Sequence, residues 1–152
     1  MDLILNESSV LATLIRRQTR HGHWKPRRNP LENYKLVMPE DLNHYGFLFG
    51  GRLLRWVDEY AYIAASLDYP ECNLVTVGLD HVEFRRNVLG GTVLRFHVQQ
   101  ARVGTTSAQY TVNVFKANED NQQAIFSTCV TYVRVDDAGA KVPLPTTAKS
   151  GS

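Results

Sequence analysis

NHYGFLFGGRLLRWVDEYAYIAASL, residues 43–67, decides how this chain folds. Two adjacent glycines, Gly50 and Gly51, open a run in which Leu53, Val57, Tyr60, Ala64 and Leu67 recur at helical spacing. Leu54, Trp56, Ala61, Ile63 and Ala65 add apolar positions around the other sides. A helix that is apolar almost all round is expected to be buried. DYPECN, residues 68–73, ends it.

Outward from this helix the period changes to two. Upstream, Tyr34, Leu36 and Met38 alternate with Lys35 and Val37, a strand that stops at Pro39. Downstream, Val75, Val77 and Leu79 share a face, and the phase slips so that Val82 and Phe84 continue it. A slip beside Asp80 and His81 predicts a bulge. Gly90 and Gly91 turn the chain, and Leu94, Phe96 and Val98 form the next face. After the turn at Val103–Thr106 come Ala108, Tyr110, Val112 and Val114, then Ala124, Phe126, Thr128, Val130 and Tyr132. Three long strands joined by short turns make an antiparallel meander. The order is strand, buried helix, four strands. A curved antiparallel sheet around one central helix, an α+β fold, buries those faces with fewest elements.

The 152 residues suit one domain, and 43% hydrophobic with 21% charged residues is an ordinary globular balance. Residues 31–146 are read as the domain, 147–152 as a flexible tail, and 1–30 as a basic arm. Six Arg and Lys face two acids in that arm, with Val10, Leu11, Leu14 and Ile15 in a short amphipathic helix over about 7–20. HGHWKPRRNP then reads as a linker. The arm's charge is compatible with nucleic acid or a membrane surface, but a solvated helix and linker is the reading adopted, and no nucleic-acid partner is expected. No apolar run reaches the roughly 18 residues that span a bilayer. Two cysteines, Cys72 and Cys129, lack metal spacing and point to a reducing, cytoplasmic compartment. Cys129 is read as a buried, inert thiol. No metal site, P-loop, dinucleotide fingerprint or G-x-S-x-G elbow occurs.

The chemistry concentrates where the helix begins. The first turn of a helix carries unpaired N–H donors and positive dipole character. Glycines leave those amides unshielded, so Gly50 and Gly51 make a ready cradle for a carbonyl oxygen gaining charge. Two turns on, Asp58 lies among Leu54, Val57 and Ala61. A carboxylate there needs a partner or a purpose. The plainer reading of Asp58 is an ion pair with Arg55, and the glycines by themselves could serve tight packing.

The pattern N-x-x-G-x-x-[HF]-G-G-x-x-x-x-L-x-D/E, met by Asn43, Gly46, Phe49, Gly50, Gly51 and Asp58, resembles that of the hotdog-fold acyl-CoA thioesterases. The likeness runs from about Tyr34 to Pro145 and includes VGLDHVEFRRNVLGG and the closing VPLP, with Trp56 where leucine is common. It implies a hotdog fold and hydrolysis of acyl-CoA to free acid and CoA, with no cofactor beyond the coenzyme A of the substrate. It further implies Asp58 as nucleophile or general base, an oxyanion site at the Gly50 amide assisted by Gly51, and Asn43 positioning the carbonyl or the water. Phe84, Arg85 and Arg86, with the turn Val103-Gly104-Thr105-Thr106, would hold coenzyme A; arginine suits phosphate through paired hydrogen bonds. The site would form between subunits of a dimer or a larger tetramer or hexamer, Asn43 and Gly50 of one chain facing Asp58 of the next.

Two positions depart from the pattern. Broadly acting relatives carry Asp immediately after Gly46, where this chain has Phe47, and Phe49 replaces a histidine. Relatives lacking the loop carboxylate keep the helical Asp, and Asp58 is assigned accordingly. Phe47, Phe49 and Trp56 together suggest an apolar acyl tunnel. The same phenylalanines favour the rival reading, a non-catalytic acyl-CoA-binding regulatory module. A dehydratase of the same fold would want a loop histidine that Phe49 does not supply.

Overall fold

The computed structural model describes residues 27, 29–119 and 123–146. The expected helix over 7–20 and the tail 147–152 lie outside the described residues. Among the described residues five strands and one long helix follow in order: β1 (Leu31–Leu36), α1 (Gly50–Asp68), β2 (Asn73–Phe84), β3 (Val93–Val103), β4 (Ser107–Lys116) and β5 (Phe126–Val135). A single 3-10 turn, Pro39–Asp41, precedes α1. The strands form one antiparallel sheet in the order β1-β3-β4-β5-β2. β3, β4 and β5 are the expected meander, and β1 and β2 are the edges. The helix lies on one face of this sheet, against β2, β3, β4 and β5. The expected hotdog architecture, α+β with one central helix, is the one observed.

Alternation explains the core. Leu94, Phe96 and Val98 of β3, Tyr110, Val112 and Val114 of β4, and Phe126, Val130 and Tyr132 of β5 are all buried toward α1. They meet Leu53, Trp56, Val57, Ala61, Ala64 and Ala65 of the helix. Burial of such side chains contributes about 1.5–3 kcal/mol each, which makes this the dominant favourable term. The alanines let the helix approach the sheet closely.

Four expectations need correction. α1 is not buried all round, since Tyr62, Ile63 and Leu67 are exposed. One sheet face can cover only one side of a helix. The apolar residues of both edge strands are likewise in the outward phase: Tyr34, Leu36 and Met38 of the β1 segment are exposed while Val37 is buried, and Val75 and Val77 of β2 are exposed while Leu74 is buried. Cys129 is half-buried on the outer face of β5, because Thr128 and Val130 take the inward positions. Burial, and then the charge of Asp80 beside it, push its thiol pKa up. One bulge in β2 falls where expected: the register with β5 shifts between Asp80 and Glu83, and His81 there has φ 55°. A second shift, between Thr76 and Gly78, corrects the expected shared face, because it sets Leu79 opposite the inward Val130 while Val75 and Val77 stay outward.

Candidate active site

The loop entering α1 is held by its own polar groups. Asn43 Oδ1 accepts hydrogen bonds from the backbone N–H of Tyr45 (3.0 Å) and Phe47 (3.1 Å). Gly46 turns the chain with φ 81°. Asp41, almost fully buried, accepts from the Met38 amide at 2.9 Å and pairs with Arg52 at 3.5 Å, while its carbonyl receives the Phe49 amide at 2.9 Å. Leu48 N–H reaches the Val88 carbonyl at 2.7 Å and ties the loop to the segment after β2. With its carbonyl used inside the loop, Asn43 keeps its Nδ2 end for any outside contact.

The helix begins with donors available. Arg52 and Leu53 both send their amides to the Phe49 carbonyl, at 2.9 and 3.2 Å. The amides of Gly50 and Gly51, at the first two helical positions, meet no backbone acceptor among the described residues. Phe49, as N-cap, supplies no side-chain cap. Two rings flank the glycines: a Cβ on Gly50 would stand 3.4 Å from the Phe84 ring, and one on Gly51 would stand 2.7 Å from the Phe49 ring. Side chains at these positions would crowd the approach to the amides.

Gly50 opens into a cavity of about 360 Å³, lined by Leu48, Leu53, Phe84, Arg85 and Arg86 among others. The structure therefore gathers Gly50 with the expected coenzyme A residues Phe84, Arg85 and Arg86. Both arginines are already engaged. Arg85 donates to Glu83, Ser127 and the Ala124 carbonyl, and Arg86 to Glu119. A phosphate there would compete with exposed carboxylates, a weak obstacle. Phe47, Phe49 and Trp56 do not line this cavity. Trp56 is turned to the sheet, edge-on to Phe96 with centroids 6.5 Å apart and with the Lys35 ammonium 5.2 Å from its ring. The apolar lining comes from Leu48, Leu53, Phe84 and Val88 instead.

Asp58 has no ion pair with Arg55 among the described residues. Its Oδ1 accepts the Thr76 hydroxyl at 2.9 Å and the Tyr132 phenol at 3.2 Å, and the same phenol lies 3.0 Å from the Asp58 carbonyl oxygen. Thr76 and Tyr132 are register partners on β2 and β5, so one rung of the sheet anchors the carboxylate. Burial, and then the Asp58 charge, push the Tyr132 pKa far up, so the phenol remains a donor at every ordinary pH. No bond to Oδ2 occurs among the described residues. Neither Thr76 nor Tyr132 was foreseen from the sequence; a hydroxyl on the inward face of β5 was the available signal, since a buried phenol wants an acceptor.

One chain does not unite these groups. Gly50 and Asp58 are eight residues apart on α1, roughly 12 Å along its axis. The turn Val103–Thr106 lies beside Ser107, Val133 and Val75, at the opposite end of the sheet from Phe84 and Phe126. Seven residues of β5 separate those two rows, roughly 23 Å. That turn is held to the C-terminal segment by Leu144 N–H to the Thr105 carbonyl and Arg134 N–H to the Thr106 carbonyl.

Comparison with known proteins agrees with the architecture. The thioesterase superfamily profile matches residues 45–122, and the chain belongs to that family. It is 33% identical over 115 residues to the acyl-CoA thioester hydrolase YciA of Salmonella typhimurium, covering 72% of this chain and 86% of that one. A hexameric thioesterase of Yersinia pestis superposes with a TM-score of 0.70 at 29% identity, over 80% of this chain and 100% of the other. A hexameric hotdog fold thioesterase of Campylobacter jejuni gives 0.66 at 33% identity, over 74% and 88%. The chain spans 64%, 18% and 30% of the lengths of three other curated relatives that it matches. Among the described residues no helix is long and apolar enough to cross a membrane.

Proposed function

We propose that this chain hydrolyses acyl-CoA thioesters, in the cytoplasm, at a site shared between two copies of itself. The observation that carries the proposal is a glycine-started helix whose first residue, Gly50, lines a cavity bordered by Arg85 and Arg86 and whose leading amides meet no backbone acceptor among the described residues. Amides in that position suit a thioester carbonyl, and the arginines suit the phosphates of coenzyme A. Similarity to proteins named as acyl-CoA thioester hydrolases supports the same chemistry.

A two-fold axis beside β2 reconciles the separations found in one chain. Antiparallel pairing of two β2 edges sets the Phe84 end of one against the Asn73 end of the other. A register with Phe84 opposite Thr76 of the partner subunit carries Asp58 of the partner subunit toward Gly50, because Gly50 packs at Phe84 and Asp58 at Thr76. The same operation brings the partner's turn, Gly104–Thr106, to the end of the sheet that holds Arg85 and Arg86. Val75, Val77, Tyr62 and Leu67, exposed in the single chain, would be covered. Solved relatives named as hexameric support self-association.

In this site Asp58 takes a proton from water as the water oxygen bonds to the carbonyl carbon. The carbonyl oxygen becomes an oxyanion on the Gly50 amide, assisted by Gly51, with Asn43 Nδ2 positioned on the same loop. Collapse breaks the C–S bond, and the proton passes to sulfur, giving acid and CoA thiol. Direct attack by Asp58, with a mixed anhydride later opened by water, uses the same residues. Thiol release from a panel of acyl-CoAs, for the wild type and Asp58→Asn, tests this reading. Turnover lost by orders of magnitude in the variant supports it. Binding without turnover on every substrate would support the non-catalytic binding module that Phe47 and Phe49 first suggested.

A further inference from the structure

We infer that Tyr132 is a positioning residue for Asp58, pinning one carboxylate oxygen with Thr76 so that the other, Oδ2, faces the reacting water or carbonyl. This deepens the proposed function and rests on the assignment of Asp58 as its base or nucleophile.

The geometry is asymmetric. Thr76 Oγ1 and the Tyr132 hydroxyl both reach Oδ1, at 2.9 and 3.2 Å, and the phenol also touches the Asp58 carbonyl oxygen at 3.0 Å. A phenol has one proton, shared here between main chain and side chain of the same residue. It therefore restrains χ1 and χ2 of Asp58 relative to the helix backbone, which neither a water nor a surface cation would do. The donor is itself rigid. Tyr132 is fully buried, and its ring meets Tyr62 edge-on at 5.8 Å and Tyr110 at 6.0 Å. Tyr110 is fixed in turn by its hydroxyl, which donates to Asp68 Oδ2 at 2.9 Å. A second phenol on the neighbouring strand thus braces the first. With Oδ1 doubly occupied, its lone pairs are poor proton acceptors. Oδ2 is left as the basic oxygen, and its direction is set by the anchored one.

The test compares Tyr132→Phe with the wild type in three measurements. First is steady-state thiol release. Second is the orientation of the Asp58 side chain in crystal structures of both proteins. Third is the thermal midpoint. Loss of the phenol is expected to lower kcat about tenfold, the usual weight of a hydrogen bond to a charged group, with KM within about twofold. The Asp58 carboxylate should turn from its wild-type orientation. Thr76→Val should lower kcat in the same sense, and Thr76→Ser should restore it. A merely structural Tyr132 would lower the midpoint while leaving kcat and the Asp58 orientation unmoved, and that result overturns the inference. Absence of turnover in the wild type would instead count against the proposed function. The orientation of Asp58 then decides the Tyr132 contact by itself: an unmoved carboxylate overturns it.

Discussion

The rim of the Phe84 ring lies 3.4 Å from the point where a Gly50 Cβ would stand, so the last residue of β2 packs beside the first residue of α1. Phe84 is half exposed and can yield to a methyl group. Alanine is also a better helix former than glycine, by about 1 kcal/mol. Gly50→Ala is therefore expected to fold with stability within about 1 kcal/mol of wild type. Its kcat/KM on acyl-CoA should fall, because the added methyl would lie at the mouth of the proposed oxyanion site. Urea unfolding together with thiol release checks both halves.

The outward apolar residues of β2 give a second prediction. Val77 is 54% exposed on an edge strand, so glutamate there removes no core contact. In the proposed register it would face Glu83 of the partner subunit and set like charges on facing edges. Val77→Glu should sediment as a folded monomer with wild-type circular dichroism and little turnover. An oligomer unchanged by this substitution would place the interface elsewhere.

Asp68 makes a prediction about stability alone. It ends α1, where the helix dipole disfavours an acid, yet it is almost fully buried. Arg27 Nε at 3.1 Å and the Tyr110 hydroxyl at 2.9 Å offset that cost. Asp68→Ala strands both donors and should destabilise the fold by about 3 kcal/mol. Activity per folded molecule should change far less than in Asp58→Asn. Denaturant titration at a temperature where the variant stays folded measures this.

Alkaline pH provides another check. Burial, followed by the charges of Asp68 and Asp58, raises the pKa of Tyr110 and Tyr132 far above the usual tyrosine value of about 10. Raised folded-state values mean that the native protein holds these protons more tightly than the unfolded chain. The stability they confer is complete below about pH 10 and declines as pH rises beyond it. Phenolate absorbance should therefore show Tyr110 and Tyr132 ionising only together with loss of the circular dichroism signal. Ionisation of every tyrosine before unfolding would contradict the hydrogen-bonding scheme.

Local periodicity carried the element order, the meander and the bulge beside Asp80 and His81, because each depends on neighbours in sequence. Gly50, Gly51 and Asp58 stand on one helix, as their spacing requires, while the roles proposed for them come from the family pattern. What supports Asp58 was not legible. Thr76 and Tyr132 lie 18 and 74 residues away, joined only by the pairing of β2 with β5. Alternation also identifies which residues share a face without saying which face is covered. Val75 and Val77 were therefore grouped correctly, but their exposure in a single chain became visible only with the sheet order.

Mixing two inactive variants tests the shared site most directly. Gly50→Pro removes one amide donor at a position where proline suits the helix, and Phe49, at φ −68° and ψ 127°, already has the conformation favoured before proline. Asp58→Asn removes the carboxylate while leaving an acceptor for Thr76 and Tyr132. Each alone should be about a hundredfold or more below wild type. After subunits are unfolded together at equal amounts and refolded, random pairing should restore about a quarter of wild-type turnover, because half the dimers then hold one intact site. Recovery at that level is the predicted result. A mixture no more active than its two components would mean that Gly50 and Asp58 do not serve one site across two chains.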